Sequence, residues 1–210
     1  SFTGEDSLDI AIDSGSTAAS TADNPMAFDT GDGLTVDGVT YSFPVGGISM
    51  VVGVDTDLST AFTGACSYSA FTDYMSDCGT VNSIYSAGNG FTAAGSYAFD
   101  SGFSLAAGIS GTADSSSASN GLLTKEGSDS YGIEAAYTAD SWGLAVAYVS
   151  DDKGTSPETT SWGINGTYTF DEAGLPSISA GYETQETSGT DSSGYFVCLL
   201  YTSDAADDAN

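Results

Sequence analysis

A chain of 210 residues with 29 acidic side chains, two lysines and no arginine carries a net charge of −27. That balance excludes a phosphate-gripping nucleic-acid surface, argues against docking on an anionic membrane, and suits a protein that attracts or passes cations. The absence of histidine excludes Ser-His-Asp and Cys-His nucleophiles and a His-ligated zinc site.

No run approaches the ~20 apolar residues of a membrane helix. Membrane barrels stay open to such a sequence, because their strands are short and alternate. The 12 Tyr and 10 Phe fall in phase on alternating stretches, which opposes disorder. The chain opens within a segment leading into a strand, so further N-terminal sequence is expected before Ser1.

The first predicted strand is 8–13, with Leu8, Ile10 and Ile12 alternating against Asp9, Ala11 and Asp13. Carboxylates on one face require water there. A polar connection to about Gly33 follows. The second strand covers about 35–45, with Val39, Tyr41, Phe43 and Val45 in phase. Asp37-Gly38 is read as continuous strand or a bulge rather than a hairpin turn, because Thr35-Val36 is too short a partner. Pro44 stands near the strand end, where a missing ladder donor is tolerated. Gly46-Gly47 makes a tight turn into a third strand carrying Ile48, Met50, Val52 and Val54. The longest connection, 55–90, holds Cys66 and Cys78; the expectation is that it stays outside, with a fold into the pore as a constriction as the alternative.

Three hairpins follow. In the first, Phe91, Ala93, Gly95, Tyr97 and Phe99 share a face, and after Asp100 to Gly102 the phase resumes at Phe103, Leu105, Ala107 and Ile109. A loop over 112–129 carries Lys125. The second hairpin places Tyr131, Ile133 and Tyr137 with Trp142, Leu144, Val146 and Tyr148 about a turn at Asp140-Ser141. A charged loop with Lys153 follows. The third runs from Trp162 to Phe170 and returns through Ile178, Ala180 and Tyr182. A polar loop at about 184–193 leads to a tenth strand beginning near Tyr195.

The connections alternate long and short, and the strands run about 8–11 residues. That is the layout of an up-and-down membrane barrel. The fold class expected is therefore all-β: an antiparallel transmembrane β-barrel fragment of about ten strands, or an open sheet with two edges. Aromatics gather at strand ends. The opposite face holds Asp9, Asp13, Glu134 and Glu183 among Ser, Thr and Gly. These four carboxylates are the candidate pore-lining residues. Cys66 and Cys78, twelve apart in a polar loop, are the candidate disulfide, with free thiols as the alternative; a bridge would stabilise by about 3 kcal/mol. No metal or cofactor site is expected: Asp29 to Gly33 lacks the spaced ligands of a calcium loop. A carboxylate pair is the remaining enzyme chemistry the composition permits, and the chain is not expected to be an enzyme.

SFTGEDSL at 1–8, TYSFPVGG at 40–47, FDSGF at 99–103 and LPSISAGYE at 175–183 resemble the outer-membrane porins of marine cyanobacteria. These belong to the carbohydrate-selective porin family, many of which carry an N-terminal surface-layer-homology domain. The resemblance covers most of 1–197. It implies a sixteen-stranded barrel of which this chain is the C-terminal ten strands or so. Where those relatives carry a basic residue in the opening motif, this chain has Glu5, so their sugar selectivity is not carried over. Residues 198–210 are read as a separate tail in which strand alternation stops. One back-translation of Cys198 to Asp208 is similar to a transposon-end sequencing adapter, so a non-native tail is expected, with a chance polar tail after a strand as the alternative.

The expected function is a water-filled outer-membrane channel for passive diffusion of small hydrophilic solutes and ions, favouring cations, with sugars or iron among the solutes to consider. The expected partners are outer-membrane lipid, solutes and cations, with a homotrimer as the oligomer to test. The alternative is a secreted or surface-attached soluble β-sheet binding module, such as an adhesin or lectin-like domain. The two differ in whether the Tyr/Phe/Ile/Val face meets lipid or a packed core.

Overall fold

The computed structural model describes residues 4–13, 35–56, 58–64, 90–111, 123–124, 127–152, 157–171 and 175–200. Ten strands form one sheet: β1 (Ser7–Asp13), β2 (Thr35–Val45), β3 (Ile48–Val54), β4 (Phe91–Ala98), β5 (Phe103–Gly111), β6 (Asp129–Thr138), β7 (Trp142–Asp152), β8 (Thr159–Tyr168), β9 (Ser177–Thr187) and β10 (Thr190–Leu200). Each strand pairs antiparallel with its sequence neighbour, in the order β1 to β10. The sheet is not closed, and β1 and β10 are its edges. Ala11 faces Gly38 while Ile12 faces Val36, so Asp37 is the extra residue of a bulge, as its Gly neighbour suggests.

The sheet is inside out by the standard of a soluble protein. On β6 the small and polar residues Ser130, Gly132, Glu134 and Ala136 are buried, while Tyr131, Ile133 and Ala135 are exposed. Ile133 is 56% exposed and its neighbour Glu134 only 3%. The same alternation runs along β7 and β8. The sheet therefore curls toward its small, polar face. No described element covers the apolar face.

Two aromatic borders bound that apolar face. At the short-turn end, the Phe103 and Tyr137 rings meet edge-on at 4.7 Å and those of Tyr168 and Phe170 at 4.9 Å, while Tyr137 and Trp142 lie tilted at 5.0 Å. At the long-loop end, Tyr148 and Trp162 are 4.6 Å apart. The borders slant across the hydrogen-bond ladders. Phe91 on β4, Tyr131 on β6, Trp162 on β8 and Tyr195 on β10 each lie two residues further down the ladder than the last. A level border therefore needs a stagger of one residue per strand. With ~3.3 Å per residue and ~4.8 Å between strands, that is a tilt of about 35°. From Phe91 to Phe99, or from Trp162 to Phe170, the band then stands about 22 Å high, close to the ~25 Å apolar belt of outer-membrane barrels.

Three expectations are corrected. The polar stretch 184–193 is not a loop: β9 continues to Thr187 and β10 starts at Thr190, around a two-residue turn. Ser188 and Gly189 both have positive φ (54° and 75°), the conformation whose twist matches a tight hairpin. The strand does not stop at Cys198, because Leu199 and Leu200 pair with Ile178 and Ser177 in unbroken register. And the connection after β3 does not remain outside. Its first residues, 58–64, lie across the inner face.

Candidate functional site

The inner face is a wall of short side chains. One line of register partners crosses all ten strands, from Asp9 through Thr40, Thr92 and Ser130 to Asp151 and on to Thr190. It carries a hydroxyl or carboxylate at every position except Gly53. Two neighbouring pairs bond along the line: Ser130 Oγ donates to Asp151 Oδ1 at 2.8 Å, and the Thr159 and Thr187 hydroxyls lie 2.9 Å apart. Thr40 and Thr92 bond instead to Thr56 in front of the wall, and Ser110 Oγ is buried without a partner among the described residues. Further from the long-loop end the wall is glycine and alanine, with Asn165 fully buried and Phe196 lying over Gly181.

A strap crosses this wall. Asp55 takes a positive φ of 53°, and its N–H donates to Gly90 O at 3.1 Å, tying the feet of the long connection together. The Thr56 hydroxyl lies 2.5 Å from that of Thr40, and Thr92 Oγ1 donates to Thr56 O at 2.5 Å. A 3-10 turn, Leu58–Ala61, follows. Leu58 is fully buried against Ala147 and Val149, with Phe62 packed on the same cluster. The seat exists because two wall positions lack side chains. A Cβ on Gly132 would come within 2.8 Å of Leu58 Cδ1 and 3.1 Å of Phe62 Cζ, and one on Gly108 within 3.2 Å of Leu58 Cβ. The far end is held by the Thr63 N–H, which donates to Glu134 Oε1, and by Ser104 Oγ, which donates to Thr63 Oγ1 at 3.3 Å.

Three of the four carboxylates expected to line a pore can be located by side chain, and all three are on the inner face. Asp9 is exposed and Glu183 half-buried, the latter flanked in register by Gly163 and Gly194, which leave room in front of it. Glu134 shares the lateral line of Glu183 but lies under the strap, and its Oε2 has no hydrogen-bond partner among the described residues. Asp13 ends β1, and its side chain lies outside the described residues. So do Cys66 and Cys78. Glu134 and Glu183 are three strand spacings apart, roughly 14 Å, beyond the ~5–9.5 Å of glycosidase carboxylate pairs.

Sequence reasoning missed two inner acids. Glu5, in phase with Ser7 and Asp9, lines a cleft between the strap and the wall with Ser42, Ser49 and Ser96. Asp151 completes the hydroxyl line. Four further strand carboxylates, Asp129, Asp152, Glu186 and Asp191, stand on the outer side at the long-loop end beyond the apolar band, and Asp6, just before β1 at the opposite end and in phase with Leu8, accepts from the Tyr41 hydroxyl at 2.9 Å. Among the described residues no cluster of His, Cys, Asp or Glu is arranged to hold a metal ion. No protein-family model and no curated protein matches the sequence.

Proposed function

We propose that this chain forms part of the wall of a water-filled channel in a bacterial outer membrane, passing small hydrophilic solutes and favouring cations. The observation that carries the reading is the inverted sheet. Its apolar face is bare, about 22 Å tall once tilted, and bordered above and below by aromatics. Its other face is hydroxyl and carboxylate. A barrel in lipid needs that arrangement, because hydrocarbon meets the outside and water the inside. The four outer carboxylates on the strands fit the same picture, since each lies beyond the band, and Asp6 at the opposite end is paired with the Tyr41 hydroxyl. A soluble module would need a layer packed on the Tyr/Phe/Ile/Val face, and the described residues supply none.

Transport needs no chemistry in this reading. Fixed negative charge at Asp9, Glu5 and Glu183 raises the local cation concentration, and the strap narrows the lumen at β3 to β6. The resemblance to the carbohydrate-selective porins belongs to the same proposal. A planar-bilayer measurement across a salt gradient tests it. Conductance steps with a reversal potential of cation-selective sign are expected, and the Asp9→Asn, Glu183→Gln double variant should bring that potential toward zero. A folded protein that is monodisperse without detergent and gives no conductance would hand the case to the soluble binding module.

A further inference from the structure

We propose that the strap 58–64 is a gate hinged at Leu58, and that Glu134 is the positioning residue that seats its moving end. The proposal rests on the channel reading. It assigns Glu134 a role other than presenting charge to passing ions, for which a side chain 3% exposed is badly placed.

The two ends of the strap are held unequally. At the near end, the Asp55–Gly90 backbone bond and the paired hydroxyls of Thr56 and Thr40 fix the departure from β3. Leu58 is then driven into its glycine seat by the burial of a whole side chain. At the far end Phe62 is only partly buried, Thr63 is half-buried and Gly64 is exposed. Among the described residues, what seats this end is one backbone donor on one carboxylate oxygen, with a long hydroxyl contact from Ser104 beside it.

That carboxylate gains little from being covered. One oxygen accepts the Thr63 N–H, and the other is buried without a partner among the described residues. A buried acceptor without a donor carries its full desolvation penalty. Lifting Thr63 away lets water reach both oxygens, so hydration of Glu134 offsets the bond that is lost. The same movement uncovers the wall at β5 and β6 and widens the lumen. The apolar anchor has no such compensation: pulling Leu58 out exposes its side chain and the seat. The strap is thus free to open at Thr63 and bound to stay at Leu58.

The test uses the Thr63→Cys, Ser104→Cys pair, in a background with Cys66, Cys78 and Cys198 replaced by Ser, refolded into lipid vesicles. The rate of disulfide formation under mild oxidation reports seating whether or not the protein conducts. Rapid cross-linking is expected in this background. Glu134→Ala should slow it about fivefold, the loss of one ordinary hydrogen bond. Glu134→Gln keeps an acceptor for the Thr63 N–H and should restore most of the rate. Gly132→Val should abolish cross-linking by filling the seat. An unchanged rate in Glu134→Ala overturns the role of Glu134. In bilayers, the reduced protein should switch between two conductance levels and the oxidised one should stay in the lower. Identical traces before and after reduction overturn the gate. A protein that cross-links as expected yet never conducts removes the gate together with the channel reading, and leaves Glu134 as a structural anchor.

Discussion

Val146→Arg asks directly what solvent covers the apolar face. Val146 stands on β7 between Trp142 and Tyr148, near the middle of the band, in register with Ala135 and Ile164. It is 37% exposed. If that face meets hydrocarbon, an arginine there costs about 2–4 kcal/mol of folding free energy, the midplane value for barrel proteins. If the face meets water, a substitution at a part-exposed strand position stays within about 0.5 kcal/mol. Asp152→Arg is the control: it lies on the same side of the same strand, beyond the long-loop border, where the lipid penalty falls to about 0–1 kcal/mol. Denaturant titration in lipid vesicles gives both numbers. The only two tryptophans, Trp142 and Trp162, sit at opposite borders of the band and report its unfolding by fluorescence. Equal costs for the two arginines would refute the reasoning.

Leu58→Ala removes a fully buried side chain, a change of about 2–5 kcal/mol in well-packed sites. Because the strap is a local unit, the loss should appear as proteolytic cutting within 58–64 at unchanged global stability. Gly189→Val forces a β-branched residue to a φ near 75°. It should destabilise the β9–β10 hairpin by about 1–2 kcal/mol, read as faster amide exchange at Thr187 and Thr190, whereas Ser188→Asn should be neutral or stabilising. Thiol titration before and after reduction tests the Cys66–Cys78 bridge: two further thiols per chain should appear on reduction, and no increase would leave both cysteines free.

The strands were legible because each buries one face and bares the other, so a period of two survives in the sequence from Leu8 to Tyr182. At Asp37 the short flank Thr35-Val36 excluded a hairpin turn but left a continuous strand and a bulge both open, and the register decides for the bulge. The β9–β10 hairpin was not, because Thr184 to Ser193 is polar on both faces and alternation between polar residues leaves no trace. The strap was hidden for a different reason. Leu58 and Phe62 are two of several apolar residues scattered without a period through the 55–90 connection, and their partners are absences: Gly108 and Gly132, at inner positions of strands some fifty to seventy residues away. Two glycines in register beside Ala94 on an inner face were the signal that something packs there. Inner parity alone would have added Glu5 to the wall, whereas the shielding of Glu134 needed the strap.

The stagger also accounts for the open sheet. Ten alternating strands leave β1 and β10 antiparallel, so direction permits them to pair. Height does not. The line of register partners that starts at Asp9 reaches β10 at Thr190, and a shift of one residue per strand accumulates to about ten over a full circuit at this tilt. Closure would therefore set Asp9 opposite the far end of β10, near Leu200. Only the stretch from Asp9 to Asp13 would overlap β10, and only its last five residues or so, by the same count. The ladders of β6–β7 and β9–β10 have ten and eleven pairs. Half a ladder does not repay the sharper curvature that ten strands would demand. A longer β1 edge, or strands added to it, lets the stagger be taken up gradually. The level aromatic borders, the 35° tilt and the bare edges are in this sense one geometric fact, set by where the sequence places Phe91, Tyr131, Trp162 and Tyr195.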